Sequence, residues 1–297
     1  MKRIRWALCA LALLLGLLPF AAACQKAPSQ LTLYGVNTGK SDCLVFCLPN
    51  GETLLVDTGL KETYGRVRAV LELAGVKKLD HVVVTHGHKD HIGGLKKLAK
   101  DYEIGAIYTN AYDTATYSDK ERSLIAASCD TWERVKPAVV EGDSRALAAY
   151  SLGGVEMEFL APARPYSDEE DDNNNSLVVR LTHGSVGFLL MGDATFLLEN
   201  ELAAWANAQG EPLAAAFLKA GRHGKDDANT EAFLAAVAPA QAYVTGNTGE
   251  DADSPSPAVL ARLEALGAQV FINQGDHIAV RWASDGAVLS PGEYLYE

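Results

Sequence analysis

Apolar residues along the chain follow two kinds of spacing, one typical of strands and one typical of helices. The stretches "LTLYGVNTG" and "CLVFCLPNGETLLVDTG" have the β-branched and aromatic content of strands, and the second predicts a hairpin turning at residues 49–51. In "GRVRAVLELAGV" the apolar residues are spaced as in an amphipathic helix. The stretch "LDHVVVTH" then predicts a buried strand, and "GGLKKLAKDY" predicts the start of another helix.

The second half of the chain continues this alternation. Residues 110–135 predict only weak helix, whereas "SLVVRLTHGSVGFLLMGD" predicts a second hairpin. Helices are predicted over about 195–208, 231–238 and 258–266, and "AQVFINQGDHIAVRW" is predicted as a strand. Because strands are joined both by hairpins and by helical crossovers, the pattern predicts one mixed-sheet α/β domain over residues 31–297.

The first 24 residues have the composition of an export signal. Basic residues at positions 2, 3 and 5 precede an apolar run that ends near Phe20, and small residues follow it, which is the order found in secretory signals. The run is short for a membrane span, which needs about 20 apolar residues. We therefore expect residues 1–23 to be a signal peptide and residues 25–30 a short tether.

The end of this signal, "AAAC", resembles a bacterial lipobox. That resemblance implies lipidation of Cys24 and an anchor on the outer face of the cytoplasmic membrane. A plain signal peptide cut near Ala23 is the alternative.

The composition limits the classes of function. A length of 297 residues with 48% hydrophobic content is ample for a sizeable core, and the net charge of -12 argues against coating nucleic acid by bulk electrostatics. Cys43, Cys47 and Cys129 do not form a disulfide framework. The first two would lie about 13 Å apart along one strand, too far to bridge, so we expect core thiols.

Four side chains that commonly bind metals fall within six residues in "THGHKDHIGG". They follow a predicted buried strand, and open α/β sheets bind ligands at the carboxyl ends of their strands. His86 and His88 can converge on one ion, while Asp90 and His91 face a second. Two ions about 3.5–4 Å apart can generate a hydroxide nucleophile from water. A solvated polar turn is the alternative, but this density of ligand-type residues counts against it.

The same stretch resembles the HxHxDH signature of the metallo-β-lactamase fold superfamily. Further stretches resemble, in order, segments of the extracytoplasmic hydrolase domain of ComEC-type competence proteins: "LYGVNTGKSDCLVF", "LLVDTG", "NNNSLVVRL", "FLLMGD", "LKAGRHGK" and "SPSPAVLARLEALGAQVF". The resemblance implies a four-layer αββα sandwich with two mixed β-sheets. It also implies a hydrolytic centre with two divalent metal ions, Zn²⁺ in first place and Mn²⁺ or Fe²⁺ as alternatives.

The resemblance assigns the metal ligands residue by residue. It implies that His86 and His88 hold the first ion, Asp90 and His91 the second, that Asp193 bridges both, and that His223 completes the second. Asp90 and His223 are also expected to be catalytic. Asp193 could instead cap the helix that follows it, and His223 could be an ordinary loop histidine.

Asp57 is expected to orient a ligand histidine from outside the metal shell, with a turn-forming role as the alternative.

Two positions depart from the family pattern. Hydrolases of the superfamily commonly have a third histidine about twenty residues before the bridging aspartate, and residues 173–176, "NNNS", stand there instead. His183 is predicted to lie at a hairpin tip and not to be a ligand. Arg222 occupies a position where the ComEC-like pattern usually has histidine.

Cations in the loops near the predicted centre favour an anionic substrate, although each could be ordinary surface charge. The residues expected to contact substrate are Lys40, Asn175, Ser176, Lys219, Arg222 and Lys225. We therefore expect an exported phosphodiesterase or nuclease acting on DNA, a nucleotide or a cell-wall ester, with no obligate protein partner.

Three alternatives remain open. One is a cell-wall phosphorylcholine esterase, for which the acidic stretch "DEEDD" could bind the quaternary ammonium or could be only a solvated loop. The second is a β-lactam or other ester hydrolase, and the third a binding lipoprotein without catalysis.

Overall fold

A computed structural model describes residues 30–112, 116–135, 149–167 and 171–296 of the chain. The predicted signal peptide over residues 1–23, the lipidation site Cys24 and all but the last residue of the tether lie outside these ranges, as do residues 168–170 of the acidic stretch. Within the described ranges, no helix combines the length and the apolar character needed to cross a membrane.

The first sheet has eight strands in the order β15-β14-β1-β2-β3-β4-β5-β6. Pairing is antiparallel from β15 to β3 and parallel from β3 to β6, so the sheet is mixed. Its strands are β1 Leu31–Val36, β2 Leu44–Cys47, β3 Thr53–Val56, β4 Leu79–Val83, β5 Ile104–Asn110, β6 Thr131–Val135, β14 Ala279–Ser284 and β15 Glu293–Leu295.

The second sheet has seven strands in the order β13-β12-β11-β10-β9-β8-β7. It is antiparallel from β7 to β10 and parallel from β10 to β13. Its strands are β7 Ala149–Leu152, β8 Val155–Ala161, β9 Val178–His183, β10 Val186–Leu190, β11 Phe217–Lys219, β12 Gln241–Val244 and β13 Gln269–Ile272.

Helices cover the outer faces of the two sheets. The described α-helices are α1 Tyr64–Leu73, α2 Lys89–Ile92, α3 Leu95–Asp101, α4 Asp119–Ser128, α5 Phe196–Gln209, α6 Glu231–Val237 and α7 Pro257–Ala265. One apolar cluster joins α1–α4 to the first sheet and another joins α5–α7 to the second. A third cluster, with Phe46, Phe188 and Trp282, fills the space between the sheets. The predicted αββα sandwich with two mixed sheets is confirmed.

The two sheets approach each other closely at β1. A Cβ atom on Gly35 would lie 2.4 Å from the ring of Tyr243 on the opposite sheet, so only glycine fits at this position of the strand. The hydroxyl of Tyr243 donates to the carbonyl of Val36. This contact fixes the distance between the sheets beside the loops that carry the candidate site.

Two expectations about elements were incomplete. Residues 110–135 contain the helix α4 but also the whole of strand β6, which pairs with β5. The stretch "AQVFINQGDHIAVRW" is not one strand, because β13 belongs to the second sheet and β14 to the first. Between them the buried Asn273 side chain donates to the carbonyls of Val36 and Gly39, which holds the chain where it crosses from one sheet to the other.

Candidate metal centre

The candidate ligands come from loops at the carboxyl ends of strands in both sheets. His86 follows β4, His88 precedes α2 in an extended conformation, and Asp90 and His91 lie in α2. Asp193 follows β10 and His223 follows β11. The topology therefore brings all six predicted ligands to one edge of the sandwich.

Side chains from the two sheets lie as close to one another as the ligands of a metal ion do. His91 Nε2 lies 3.3 Å from Asp193 Oδ1, and His223 Nε2 lies 3.2 Å from both Asp193 Oδ2 and Asp90 Oδ2. The His86 ring lies 4.1 Å from the ring of His91 and 4.6 Å from the ring of His88, measured between centroids.

Several of these buried atoms have no hydrogen-bond partner: His86 Nε2, His91 Nε2, His223 Nε2 and Asp193 Oδ1. Such orphaned polar atoms are rare in folded proteins. Three imidazole nitrogens and a carboxylate oxygen left open at one place fit a divalent transition-metal centre.

The other ring nitrogen of these three histidines is held by a neighbour. Asp57 Oδ2 lies 2.7 Å from His91 Nδ1, which places Asp57 in the orienting position that was predicted. His223 Nδ1 lies 3.1 Å from Thr245 Oγ1, and His86 Nδ1 lies 3.3 Å from Ser176 Oγ. Such outer contacts fix the orientation of a ligand ring.

Asp42 and Lys219 form a buried ion pair behind the ligands. The Lys219 ammonium pairs with Asp42 Oδ2, donates to the carbonyl of Gly192 at 2.8 Å, and lies 4.0 Å from Asp193 Oδ1. The other oxygen of Asp42 accepts from Thr245 at 2.5 Å and lies 3.3 Å from His223 Nδ1. Both oxygens of Asp42 are thus engaged, so the residue supports His223 rather than the metal directly.

Burial and the neighbouring carboxylates shift the pKa values of three histidines in this centre. Burial lowers the pKa of His86 well below its ordinary value, which keeps its imidazole neutral. Burial also opposes the charge on His223, but the Asp193 and Asp42 carboxylates raise its pKa to about 10. For His91, burial is likewise outweighed by neighbouring carboxylates, Asp193 foremost, so its pKa lies well above the ordinary value. In the absence of metal, protons on His91 and His223 therefore balance the buried carboxylates.

The loop that carries His223 has an uncommon backbone conformation. Arg222 and His223 have φ angles of 48° and 52°, values that residues other than glycine adopt rarely and at a cost in free energy. The amide of Arg222 donates to the carbonyl of Gly192, and the hydroxyl of Ser254 donates to that of His223. These two bonds hold the loop in place.

A cavity of about 190 Å³ opens directly onto the ligands. Its wall contains His88, Asp90, Asn173, Asp193 and His223 together with three cations, Lys40, Arg222 and Lys225. Arg222 is held by Asp171 at 2.6 Å and Asp227 at 2.9 Å, while Asp251 lies 2.8 Å from Lys225 and 3.8 Å from Lys40.

Three residues expected to contact substrate do not line this cavity, and their roles are corrected here. Lys219 is buried against Asp42. Asn175 is buried and exchanges two hydrogen bonds with the backbone of Tyr166. Ser176 accepts from the amide of Asp193 and contacts His86. All three stabilise the site from behind.

Contacts in the structure show which residue caps helix α5 and where His183 lies. Thr195, and not Asp193, is the N-cap of α5, because its hydroxyl accepts from the amide of Leu197. His183 lies at the far end of the β9–β10 hairpin, where its ring contacts Ser284.

Sequence reasoning missed Asp42, Thr245, Asp172 and Asn173. Asp42 stands in "GKSD" between two predicted strands, and its loop position was the available signal. Asp171 and Asp172 belong to the acidic stretch, but they contact Arg222 and His88. That stretch is therefore not only a solvated loop.

Comparison with known proteins agrees with this geometry. Residues 36–245 match the family model described as Metallo-beta-lactamase superfamily. The chain is 28% identical over 222 residues to Competence protein ComA of Neisseria gonorrhoeae, a match covering 73% of this chain and 27% of that protein. It is 24% identical over 195 residues to ComE operon protein 3 of Bacillus subtilis (strain 168), covering 65% and 23%. The chain thus spans about a quarter of the length of these curated relatives.

A solved structure shows the same fold. The metallo-beta-lactamase fold protein YhfI from Bacillus subtilis matches with a TM-score of 0.56 and 14% identity, covering 86% of this chain and 100% of that chain. At this identity the likeness concerns the fold alone. Together, the family match and the two competence proteins confirm the resemblance that the motifs predicted.

Proposed function

The chain belongs to the metallo-beta-lactamase superfamily, and from that premise we propose that this metal-dependent hydrolase cleaves phosphodiester bonds. The observation that carries the proposal is the wall of the cavity beside the ligands. Lys40, Arg222 and Lys225 line it, whereas the carboxylates that pair with them do not. Three basic residues thus line the cavity, while the carboxylates of Asp171, Asp227 and Asp251 that pair with them lie outside its lining.

This arrangement suits a substrate whose transition state is anionic. Preorganised cations stabilise the charge that spreads over the phosphoryl oxygens during displacement. The net charge of the chain is -12, so three cations beside the ligands are not a reflection of overall composition. A neutral amide or lactam would gain less from them.

The side chains divide into those that would hold metal and those that would bind substrate. His86, His88, Asp90, His91, Asp193 and His223 would hold two divalent ions, and the two oxygens of Asp193 lie near the ligand nitrogens of His91 and His223. When bound, such a pair supplies Lewis acidity and generates a nucleophile from water at neutral pH. Arg222 and Lys225 would bind the non-bridging oxygens of the phosphoryl group, and Asn173 would contact them from the opposite loop.

The test is hydrolysis of bis(p-nitrophenyl) phosphate and nitrocefin by the purified protein with added zinc or manganese. We expect turnover of the phosphodiester, and loss of both turnover and bound metal in Asp90→Ala and Asp193→Ala, because each removes a ligand. His183→Ala is the control and should retain both properties. Nitrocefin turnover without phosphodiester turnover would contradict the proposal.

The cation wall is tested by Lys225→Met with Lys78→Met as a matched control. Each lysine pairs with one carboxylate, Lys225 with Asp251 at 2.8 Å and Lys78 with Glu103 at 2.9 Å, but only Lys225 lines the cavity. We expect kcat/KM for the phosphodiester to fall about tenfold or more in Lys225→Met and to stay constant in Lys78→Met. Equal values in both variants would remove the main support for an anionic substrate.

The natural ester is approached with a panel of DNA, nucleotides and a phosphorylcholine ester. Asp171 and Asp172 are engaged with Arg222 and His88, which counts against their binding a quaternary ammonium group. Faster cleavage of the phosphorylcholine ester than of its ethyl analogue would instead favour a phosphorylcholine esterase. A protein with no bound metal and no esterase activity would instead be a binding lipoprotein.

We also propose that the protein acts outside the cytoplasm, anchored through a lipid on Cys24. The support is the basic, apolar and small-residue order of residues 1–24. Expression with a radiolabelled fatty acid should label the wild type and leave Cys24→Ala unlabelled. Label on neither protein would favour a plain signal peptide.

A further inference from the structure

Residues 171–176, the 171–176 segment, contact both histidines expected to hold the first metal. Asp172 Oδ2 lies 3.1 Å from His88 Nε2, and Ser176 Oγ lies 3.3 Å from His86 Nδ1. Hydrolases of the superfamily commonly have a third histidine in this region, and the segment contains none. The segment would therefore act on the first metal through its contacts with His86 and His88.

The pattern of ring contacts explains what Asp172 does. In His86, His91 and His223, one ring nitrogen contacts an outer neighbour while the other is buried and makes no hydrogen bond. His88 follows the same division with its nitrogens exchanged, because Nε2 contacts Asp172. Its Nδ1 is thus the nitrogen left to the centre.

His88 depends more on such a contact than the other three. Its side chain is 40% exposed, whereas those of His91 and His223 are 0% and 1% exposed. Packing already fixes the buried rings. A half-exposed imidazole loses rotational freedom when it binds a metal, and that entropy opposes binding unless a neighbour orients the ring beforehand.

Asp172 is itself placed by contacts on both sides. The Asp171 carboxylate accepts from the amide and side chain of Asn173 and from Arg222. The Asn174 side chain accepts from the amide and hydroxyl of Thr195, two residues beyond the candidate bridging carboxylate. The short 3₁₀ turn over Asp172–Asn175 is therefore tied to both metal-bearing loops.

A direct ligand role for Asp172 is the competing interpretation. Asp42, His91, Asp193 and His223 bring their ligand atoms within 4.8 Å of one another. Among the described residues, that group includes neither His86, His88 nor Asp172, so it does not decide between the two roles. The contact of 3.1 Å joins Asp172 Oδ2 to His88 Nε2, and the Co²⁺ spectrum described below separates an orienting contact from a ligand role.

We propose that Asp172 is the positioning residue of His88, and that this contact replaces part of the fixation that a third histidine ligand would give the first metal. It is an assignment for metal binding and can fail while phosphodiester hydrolysis stands, because its test contains no substrate.

The test measures Co²⁺ binding to the full chain by competition with a chromophoric chelator, together with the visible spectrum of the Co²⁺-loaded protein. Asp172→Ala should weaken one of the two sites about 10- to 100-fold. Asp172→Asn should weaken it less, because its amide oxygen still accepts from His88. Both variants should bind two ions at saturation, with the band intensities of the wild type.

Asp226→Ala and Asp226→Asn are matched controls, since Asp226 pairs only with Arg262 among the described contacts and does not line the cavity. Both should bind Co²⁺ as the wild type does. Unchanged affinity in Asp172→Ala would overturn the proposal. So would the loss of one ion at saturation in both Asp172 variants, or a change in their band intensities, because Asp172 would then be a ligand.

Discussion

Lys219 is the one lysine among the described residues that lies fully buried in the centre, and its charge matters to the fold before any metal binds. Its ammonium pairs with Asp42 and lies near Asp193. Replacing it with Met leaves buried carboxylates without this cation. We expect Lys219→Met to lower the free energy of unfolding of the chelator-treated protein by about 3–5 kcal/mol.

Urea unfolding in the presence of EDTA measures this effect. Lys78→Met serves again as control, since surface ion pairs contribute only about 0–1 kcal/mol. Zinc should stabilise Lys219→Met more than the wild type, because added positive charge replaces the lost ammonium. Equal stability of Lys219→Met and the wild type in EDTA would show that Asp42 needs no cation.

The functional residues that could be recognised from the sequence are those whose neighbours along the chain already indicate their role. Four candidate ligands stand in one short motif, and Asp193 ends an apolar strand. Asp42 and Asp172 could not be recognised in this way, because they act through partners 203 and 84 residues distant along the chain. Lys219 carried a misleading signal, since its position in a ligand-bearing loop indicated exposure when its side chain is buried.

At the scale of elements, helix α5 fixes the loop that carries His223. Glu199 on α5 is buried, and its carboxylate accepts from the amides of Asn229 and Thr230 and from the Thr230 hydroxyl. Asn229 in turn bonds the amide and carbonyl of Gly221, beside Arg222. The helix thus acts on the metal loop through two layers of hydrogen bonds.

Removal of that carboxylate should loosen the loop. We expect Glu199→Ala to reduce the free energy of unfolding by about 2–4 kcal/mol, because buried amides lose their acceptor, and to weaken metal binding. Thermal unfolding and the Co²⁺ titration measure the two effects. Glu264→Ala, a surface change on α7, should alter neither, and a Glu199→Ala protein that binds metal as tightly as wild type would contradict this role.

Elements whose apolar residues repeat at a regular spacing could be predicted from the sequence. Elements whose bounds depend on which of the two sheets they join could not. The two hairpins and the amphipathic helix α1 follow from spacing and turn residues. The division between β13 and β14 follows from the crossing at Asn273, and an apolar run has no feature that shows to which sheet each part belongs. Strand β6 was missed because Thr131 and Arg134 are exposed and only Val135 is buried, which weakens the strand pattern.

At the scale of the whole molecule, the metal-free protein should respond to pH through its histidines. The pKa of His223 is raised to about 10, and that of His91 also lies well above its ordinary value. The unfolded chain binds these protons with a pKa of about 6.5. Their stabilising contribution is therefore complete below about pH 6.5 and is lost as the pH rises towards 10.

In EDTA, we therefore expect the free energy of unfolding to fall between pH 6.5 and 9. Zinc should stabilise the protein increasingly over the same interval, because ligand histidines must be deprotonated to bind it. Urea unfolding at several pH values measures both trends, and His223→Gln identifies the share of this residue. A decrease in EDTA that is as large in His223→Gln as in the wild type would exclude His223 as its source.

The pairing of β1 with β14 joins residues from opposite ends of the chain, with Leu31 opposite Ser284. The first strand of the described residues receives this neighbour only when the chain has been made as far as Ser284. Until then the first sheet has an open edge at β1, since β2 covers only its other side. Because β1 pairs with β14, the first sheet cannot be completed before β14 has been synthesised.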